Sequence, residues 1–168
     1  LNANQFVLQE KERMGIQTDV KSGIIVEVPS VALTADVFAH EADFCSIGSN
    51  DLTNYTLAAE RGNPLLAGMS DALHPAVLRL IAKTVKGAEK YGKRVAVCGE
   101  IAGDMQAVPI LIGLGIDELS VNPGTIPSIK AAIRKLSRKQ CRKIAHKALS
   151  IPSAQEVRAY LAQVVFER

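Results

Sequence analysis

The sequence predicts an α/β fold built on a parallel sheet, and three observations carry that expectation. Four short runs rich in β-branched residues read as strands: Gly23-Ile24-Ile25-Val26, Phe44-Cys45-Ser46-Ile47-Gly48, Val95-Ala96-Val97-Cys98 and Glu118-Leu119-Ser120-Val121. Helix-spaced apolar residues follow each run. The strand ends at Glu27, Asn50, Cys98 and Val121 stand 23, 48 and 23 residues apart, a strand-helix period with one insertion, residues 52–74, in its second unit. Strands apolar on both faces that alternate with amphipathic helices imply right-handed crossovers between parallel neighbours. Four such units fit a doubly wound sheet or half of a (β/α)8 barrel. Polar strand ends do not choose between them, because both folds place their sites there.

Taken in order, residues 4–14 read as a charged helix whose apolar residues, Phe6, Val7 and Met14, are too few for an independent unit, so it is expected to enter from something upstream. The strand over 23–27 is closed by Pro29, and Val31, Leu33, Val37 and Phe38 give a short helix over 31–40 before the strand at 44–48. After the Asn50-Asp51 tip, a short helix over 52–60 leads into a Gly/Pro/Asn loop. Pro75 suits the first turn of the next helix. Its stripe of Val77, Leu78, Ile81, Val85 and Ala88 runs on to Tyr91-Gly92, where glycine stops it. A strand at 95–98, a helix over 105–114, a strand at 118–121 and a covering helix over 126–135 complete the alternation. Two tail helices follow, over 138–149 and 153–165. The second opens with Ser153-Ala154-Gln155-Glu156, a capping-box pattern in which hydroxyl and carboxylate satisfy each other's backbone donors.

A chain of 168 residues with 48% hydrophobic content has the size and apolar content of one globular domain. No apolar run approaches the roughly 20 residues that a membrane span requires. The opening residues Leu1-Asn2-Ala3-Asn4-Gln5 lack the charged segment and apolar stretch of an export signal. Cys45, Cys98 and Cys141 are odd in number and without CxxC spacing, which argues against a disulfide framework or zinc knuckle and for a reducing cytoplasm. The net charge of +3 is uneven: Lys130, Arg134, Lys135, Arg138, Lys139, Arg142, Lys143 and Lys147 form an acid-free stretch of eight cations, which leaves the rest of the chain at −5. Such a tail can mark a nucleic-acid or acidic-partner surface. Here the cations alternate with Ala131, Ile133, Leu136, Ile144 and Ala148 at helical spacing, so the expectation is the solvated face of amphipathic helices and no nucleic-acid partner.

The chemistry-bearing residues cluster at the strand ends. Glu27 and Asp51 each follow an apolar run, and two carboxylates that met over one ion would suit a hard divalent cation. On the residues alone, Glu27 is equally a solvated strand-end acid and Asp51 a helix N-cap. Asn50 offers an amide donor at a helix N-terminus, where backbone N–H groups already favour anions. Arg61, in Glu60-Arg61-Gly62-Asn63, offers a planar fork for phosphate or carboxylate, or is an ordinary loop cation. Cys98 stands at a strand tip before Gly99, unlike Cys45 inside a strand or Cys141 on the tail. Free cysteines more often serve as small core residues. His40, His74 and His146 have no metal-ligand spacing and read as satisfied or solvated side chains.

Four segments in one order resemble a known family. These are Gly23-Ile24-Ile25-Val26-Glu27-Val28-Pro29, the run from Asp43-Phe44-Cys45-Ser46 through Asn50-Asp51 to Arg61-Gly62-Asn63, Val97-Cys98-Gly99-Glu100-Ile101-Ala102-Gly103-Asp104, and Gly113-Leu114-Gly115-Ile116-Asp117-Glu118-Leu119-Ser120. They are similar to the C-terminal part of the phosphoenolpyruvate-binding barrel of enzyme I, the phosphoenolpyruvate-protein phosphotransferase of the bacterial sugar phosphotransferase system. The resemblance runs from about residue 23 to at least residue 149. It decides the fold expectation: the C-terminal half of a (β/α)8 TIM barrel, strands five to eight, over about residues 20–136, followed by a helical tail over about 137–168. A whole barrel takes about 250 residues, so either the chain is part of a longer protein or a second chain closes the sheet.

The resemblance also assigns roles. Glu27 and Asp51 correspond to the ligands of a Mg2+ ion that bridges to phosphoenolpyruvate, and Asn50, Asp51 and Arg61 to substrate-binding residues. Cys98 corresponds to the general acid that protonates C3 of enolpyruvate, a task that suits a thiol neutral at neutral pH. Glu100 receives no role. The implied partners are phosphoenolpyruvate and pyruvate, a histidine-containing phosphocarrier protein or domain, and a second copy in a homodimer, all in the cytoplasm. The family's other phosphate-binding arginines and its phosphohistidine domain have no counterpart in this sequence, so the isolated chain is expected not to complete phosphotransfer. Asn54 stands where the family has Gln and Asn122 where it has Ser. The run Asp71-Ala72-Leu73-His74-Pro75-Ala76-Val77-Leu78-Arg79-Leu80-Ile81 and the segment Cys141-Arg142-Lys143 look similar to fructose-type multiphosphoryl transfer proteins. Two alternatives stand beside this reading. One is a non-catalytic half-barrel that serves dimerisation or regulation; the other is a fragment of a pyruvate phosphate dikinase-like or phosphoenolpyruvate synthase-like enzyme.

Overall fold

A computed structural model describes residues 3–59 and 70–166, with side chains over 5–59 and 70–164. Strands β1 (Gly23–Val26), β2 (Phe44–Gly48), β3 (Arg94–Cys98) and β4 (Glu118–Leu119) pair in parallel in the order β1-β2-β3-β4. The register sets Val26 beside Ile47 and Gly48 beside Cys98, so the C-terminal ends of the first three strands finish level. Each strand therefore delivers the residue after it to one rim.

Side-chain alternation gives the sheet two unlike faces. Val26, Cys45, Ile47, Val95 and Val97 are fully covered and pack with Val77, Leu78, Ile81 and Val85 of α5 (Pro75–Glu89). On the other face Ile25 is 62% exposed, and Ser46 and Ala96 are half-buried. The expectation of strands covered on both faces thus holds for one face only. Consecutive strand order with helices on a single face is the plan of a barrel segment. A doubly wound sheet instead reverses its strand order at a switch point and carries helices on both faces. The sheet is not closed, and β1 and β4 are its edges. The structure thereby resolves the choice that element order alone leaves open.

The helices follow the expected order with several shifted ends. The N-terminal helix α1 spans Ala3–Arg13, and the helix expected over 31–40 is two pieces, α2 (Pro29–Leu33) and α3 (Ala35–Glu41). Thr34 breaks it: its hydroxyl turns back to donate to the Ser30 carbonyl at 2.8 Å, and its backbone leaves the helical region at ψ 26°. Helix α4 spans Ser49–Leu57, three residues earlier than expected, and ends where Ala58 adopts φ 50°. The helix expected over 105–114 begins later, as α7 (Val108–Leu114). A one-turn α6 (Glu100–Gly103), not foreseen, fills the gap. A 3-10 turn (Pro123–Thr125) precedes α8 (Ile126–Arg134).

The tail comprises α9 (Arg138–Ala148) and α10 (Ala154–Phe166). All eight cations of the acid-free stretch are exposed, whereas Cys141, Ala145 and Ala148 are buried, so the charges form a solvated face as expected. Ser153 caps α10 by accepting the Glu156 N–H at 3.2 Å. Its hydroxyl donates to the Glu156 carboxylate at 2.9 Å, so that carboxylate meets the cap hydroxyl instead of a backbone donor.

Helices α7 and α9 touch where Gly113 faces the Cys141 carbonyl, and a Cβ there would collide with that carbonyl and stand 2.7 Å from the Ala145 Cβ. Alanine gains about 1 kcal/mol over glycine in a helix interior. Overpacking against backbone that cannot yield costs about 1–3 kcal/mol. Gly113→Ala is therefore expected to lower stability, read as a reduced midpoint in urea unfolding. An unchanged or raised midpoint would show that the helices separate at no cost.

Candidate functional site

The rim at the strand ends is built by close backbone approaches. Glu27 follows β1 directly, and its side chain folds across Gly48: a Cβ at Gly48 would lie 2.8 Å from Glu27 Oε2 and 2.9 Å from Glu27 Cβ. Only a residue without a side chain leaves that carboxylate its place. Immediately after Gly48 the chain enters α4, whose first turn carries Ser49, Asn50 and Asp51. Glu27 and Asp51 therefore occupy the same rim, on adjacent strand-helix units. No side chain caps the first turn of α4, so its N–H groups and positive dipole end face that rim. The sequence expectation placed Asn50 and Asp51 at a strand tip ahead of the helix; they lie inside its first turn. Ser49 explains the early start. Buried, it donates its hydroxyl to the Cys98 carbonyl at 2.6 Å while its own carbonyl accepts from Thr53 Oγ1 at 2.7 Å, which locks the first turn onto the end of β3.

Gly99 makes that junction possible. Its φ of 94° and ψ of −174° lie in a region essentially reserved for glycine. A Cβ there would collide with Ser49 Oγ and stand 2.7 Å from Asn50 Oδ1. With Gly99 turned this way, the Glu100 N–H donates to Asn50 Oδ1 at 3.0 Å and starts α6. This bond also fixes the amide: its oxygen accepts from the backbone, so its NH2 group is the end that can donate to a ligand. Glu100, unassigned from sequence, acts here through its backbone.

Cys98 is half-buried beside Gly48. Its thiol donates to the Ile47 carbonyl at 3.4 Å, and Ser46 Oγ approaches the sulfur at 3.9 Å. Cys45 and Cys141 are fully covered, and burial pushes both thiols up from their ordinary pKa. Arg61 lies outside the described residues. The histidines behave as expected: His74 Nδ1 accepts the Ala76 N–H at 3.2 Å as an N-cap, and His40 bonds Glu41 at 2.8 Å and meets Tyr91 edge-on. Among the described residues no group of three or more His, Cys, Asp or Glu could hold a metal, so an ion here would rest on two carboxylates, water and ligand. A cavity of about 290 Å³, lined in part by Lys93, Arg94, Asp117, Arg138 and Arg142, opens at the opposite, N-terminal end of the strands and is separate from the rim.

Sequence reasoning missed one polar cluster, centred on a guanidinium of the tail helix. Arg158 of α10 grips Asp71 with two nitrogens, at 2.5 and 2.9 Å, and reaches Asp104 at 3.1 Å and Gln106 at 2.9 Å with a third. These hydrogen bonds and charges hold the guanidinium above its ordinary pKa. The partners stand 87, 54 and 52 residues away, so no local pattern announces them.

Sequential parallel strands, helices on one face and polar groups at the strand ends define a segment of the (β/α)8-barrel class, in which chemistry sits at that end. Within it, residues 3–138 match the family described as PEP-utilising enzyme, PEP-binding domain, and the chain belongs to that family. It is 50% identical over 141 residues to a multiphosphoryl transfer protein of Xanthomonas campestris, covering 84% of this chain and 17% of that protein. It is 42% identical over 166 residues to a phosphoenolpyruvate-protein phosphotransferase of Bacillus subtilis, covering 96% and 29%. Against multiphosphoryl transfer protein 1 of Escherichia coli it is 41% identical over 159 residues, covering 94% and 19%. The chain thus spans less than a third of the length of these relatives. Both kinds of name that the sequence resembled occur among them.

The burial pattern predicts thiol selectivity. Iodoacetamide should alkylate one thiol per folded chain, at Cys98, and three after denaturation, as counted by intact-mass spectrometry. Early labelling of Cys45 or Cys141 would contradict this packing.

Proposed function

We propose that this chain is the phosphoenolpyruvate-binding part of a phosphotransferase that moves the phosphoryl group of phosphoenolpyruvate to a protein histidine. The observation that carries the reading is the shared rim: Glu27 folded over Gly48 beside the helix turn that presents Asn50 and Asp51, in a chain of the PEP-binding family. On this reading the barrel part occupies about residues 20–136 and the helical tail about 137–168.

The carboxylates fit a Mg2+ ion. Magnesium takes hard oxygen ligands, commonly one or two carboxylates with water and substrate phosphate. Among the described residues neither Glu27 nor Asp51 pairs with another side chain, and the half-buried Glu27 side chain lies against Gly48. Glu27 and Asp51 would hold the ion, which when bound neutralises charge on the phosphate. Asn50 presents its NH2 donors to the anion beside the open first turn of α4, and Arg61, through the resemblance, supplies a guanidinium fork. Cys98 presents its thiol at the rim, where it donates to the Ile47 carbonyl at 3.4 Å. When the phosphorus–oxygen bond breaks and the phosphoryl group passes to histidine, the enolate electrons take the thiol proton at C3. Pyruvate results, and water restores the thiol. Such catalysis is positioning and electrostatics.

The histidine would come from another domain or a phosphocarrier protein, and the working form would be a cytoplasmic homodimer. In support, no described helix is long and apolar enough to cross a membrane. A second reading, a non-catalytic dimerisation or regulatory half-barrel, draws on the open edge of β1 and the exposed Ile25, since unpaired edges seek partners. A dikinase-like or synthase-like origin has less support, because the relatives' names are those of phosphotransferases.

Titration calorimetry separates the readings. The full-length protein should bind phosphoenolpyruvate in the presence of Mg2+, and Asp51→Ala should weaken that binding by at least about 10- to 100-fold, since that much is lost even when a group that only orients a metal ligand is removed. Cys98→Ser should bind normally and release pyruvate slowly. Firm dimerisation without Mg2+-dependent binding would favour the regulatory module instead.

A further inference from the structure

We propose that Arg158 is a positioning residue for the rim, closing a ring of hydrogen bonds that ties the tail helix to Asp71 and Asp104, on the segments that follow the second and third strands. The ring begins and ends on α4. From Asn50, Oδ1 accepts the Glu100 N–H at 3.0 Å, which fixes the start of α6. Helix α6 ends at Asp104, whose carboxylate accepts from Arg158 Nη1 at 3.1 Å. Arg158 then forks onto Asp71 through Nε and Nη2. Next to Asp71, the Ser70 hydroxyl donates to Asn54 Oδ1 at 3.0 Å, which returns the ring to α4 one turn after Asn50. The circuit passes both residues that follow β2 and residues that follow β3, and Cys98 is the last residue of β3, its carbonyl bonded to Ser49 beside Asn50.

Two further bonds make the ring stiff. Asp71 Oδ1 accepts the Leu73 N–H at 2.9 Å, and Asp104 Oδ1 accepts the Gln106 N–H at 2.9 Å, so each carboxylate is locked to its own backbone before the arginine grips it. A displacement of Arg158 is therefore passed to main chain and is not absorbed by free side chains. The bidentate fork supplies direction as well as attraction, which a lysine at this position cannot do. Nor is Arg158 needed to keep α10 docked, because Val157 and Leu161 on the same helix are fully buried. The helix is held by apolar burial, and the arginine is free to serve the loops.

This inference rests on the proposed function where it concerns turnover, but the ring has a readout of its own in the Cys98 thiol. In the full-length protein, Arg158→Met keeps the aliphatic stem and removes the fork. It should leave the helical circular dichroism unchanged and speed alkylation of Cys98 by iodoacetamide about threefold or more, because loops released from their ties open more often. In turnover with phosphoenolpyruvate, kcat should fall about tenfold or more with little change in KM, as misplacement of reacting groups does. Arg158→Lys should recover less than half of either effect. Should Arg158→Met fail to fold, the double variant Asp104→Ala/Gln106→Ala removes both acceptors of Nη1 and opens the ring while leaving the Asp71 fork in place, and it should show the same acceleration. A folded variant with unchanged alkylation and unchanged kcat would overturn the ring. Absence of phosphoenolpyruvate binding in the unsubstituted protein would overturn the proposed function alone, with the alkylation rates still deciding the ring.

Discussion

The rim depends on one backbone contact, the approach of α4's first turn to the turn at Gly99. Here Ser49 Oγ bonds the Cys98 carbonyl and Asn50 Oδ1 takes the Glu100 N–H, both across a glycine whose positive φ leaves no room for a Cβ. The two bonds satisfy a strand-end carbonyl and a helix-start N–H that would otherwise be orphans. They also fix where Asn50 sends its remaining donors and where the Cys98 carbonyl, and with it the thiol, must lie. A polar contact between neighbouring strand-helix units thus sets the geometry of the site, while the apolar core beneath sets only its height.

The level finish of the strands has a similar origin. Parallel register aligns Gly48 with Cys98, and the bulk removed at Gly48 is what lets Glu27 lean toward the next unit. With a side chain at Gly48 the carboxylate would be forced off the rim or into the open face of the sheet. That open face carries the exposed Ile25, an apolar side chain that an isolated half-barrel leaves in water. Burial of such a residue is worth about 1.5–3 kcal/mol, which is a physical reason for this sheet to gain a covering partner.

The strands and the rim residues were legible because parallel strands announce themselves as short β-branched runs, and Glu27, Asn50, Asp51 and Cys98 each stand directly at or after one, whereas the order of the strands in the sheet was not fixed by these runs. What lay beyond the sequence was tertiary. Ser49, Asn50 and Asp51 have poor interior helix propensity and are preferred caps, so a start at residue 52 is the local reading. The bond from Ser49 to Cys98, 49 residues away, overrides it. The break at Thr34 has the reverse character: a hydroxyl competing with the backbone for the Ser30 carbonyl is local, but helices often tolerate such back-bonding and sequence does not say when they split. The family resemblance carried the ion, the substrate and the roles of Arg61 and Cys98, none of which spacing alone distinguishes from solvated or core residues.

Magnitudes decide how the tail and the rim divide their work. Full burial of Val157 and Leu161 is worth about 1.5–3 kcal/mol each. The Arg158 side chain is 40% exposed, and partly solvated ion pairs of this kind contribute about 0–1 kcal/mol, rising somewhat for a bidentate fork. Stability of α10 is thus a matter of its apolar face, and the arginine adds little to it. Yet the arginine engages Asp71, Asp104 and Gln106 at once, from loops that share no other described hydrogen bond with α10. Three acceptors converge on one guanidinium for little net stability, which makes sense if their value lies in holding loops at fixed places, since positioning needs direction and not depth of binding.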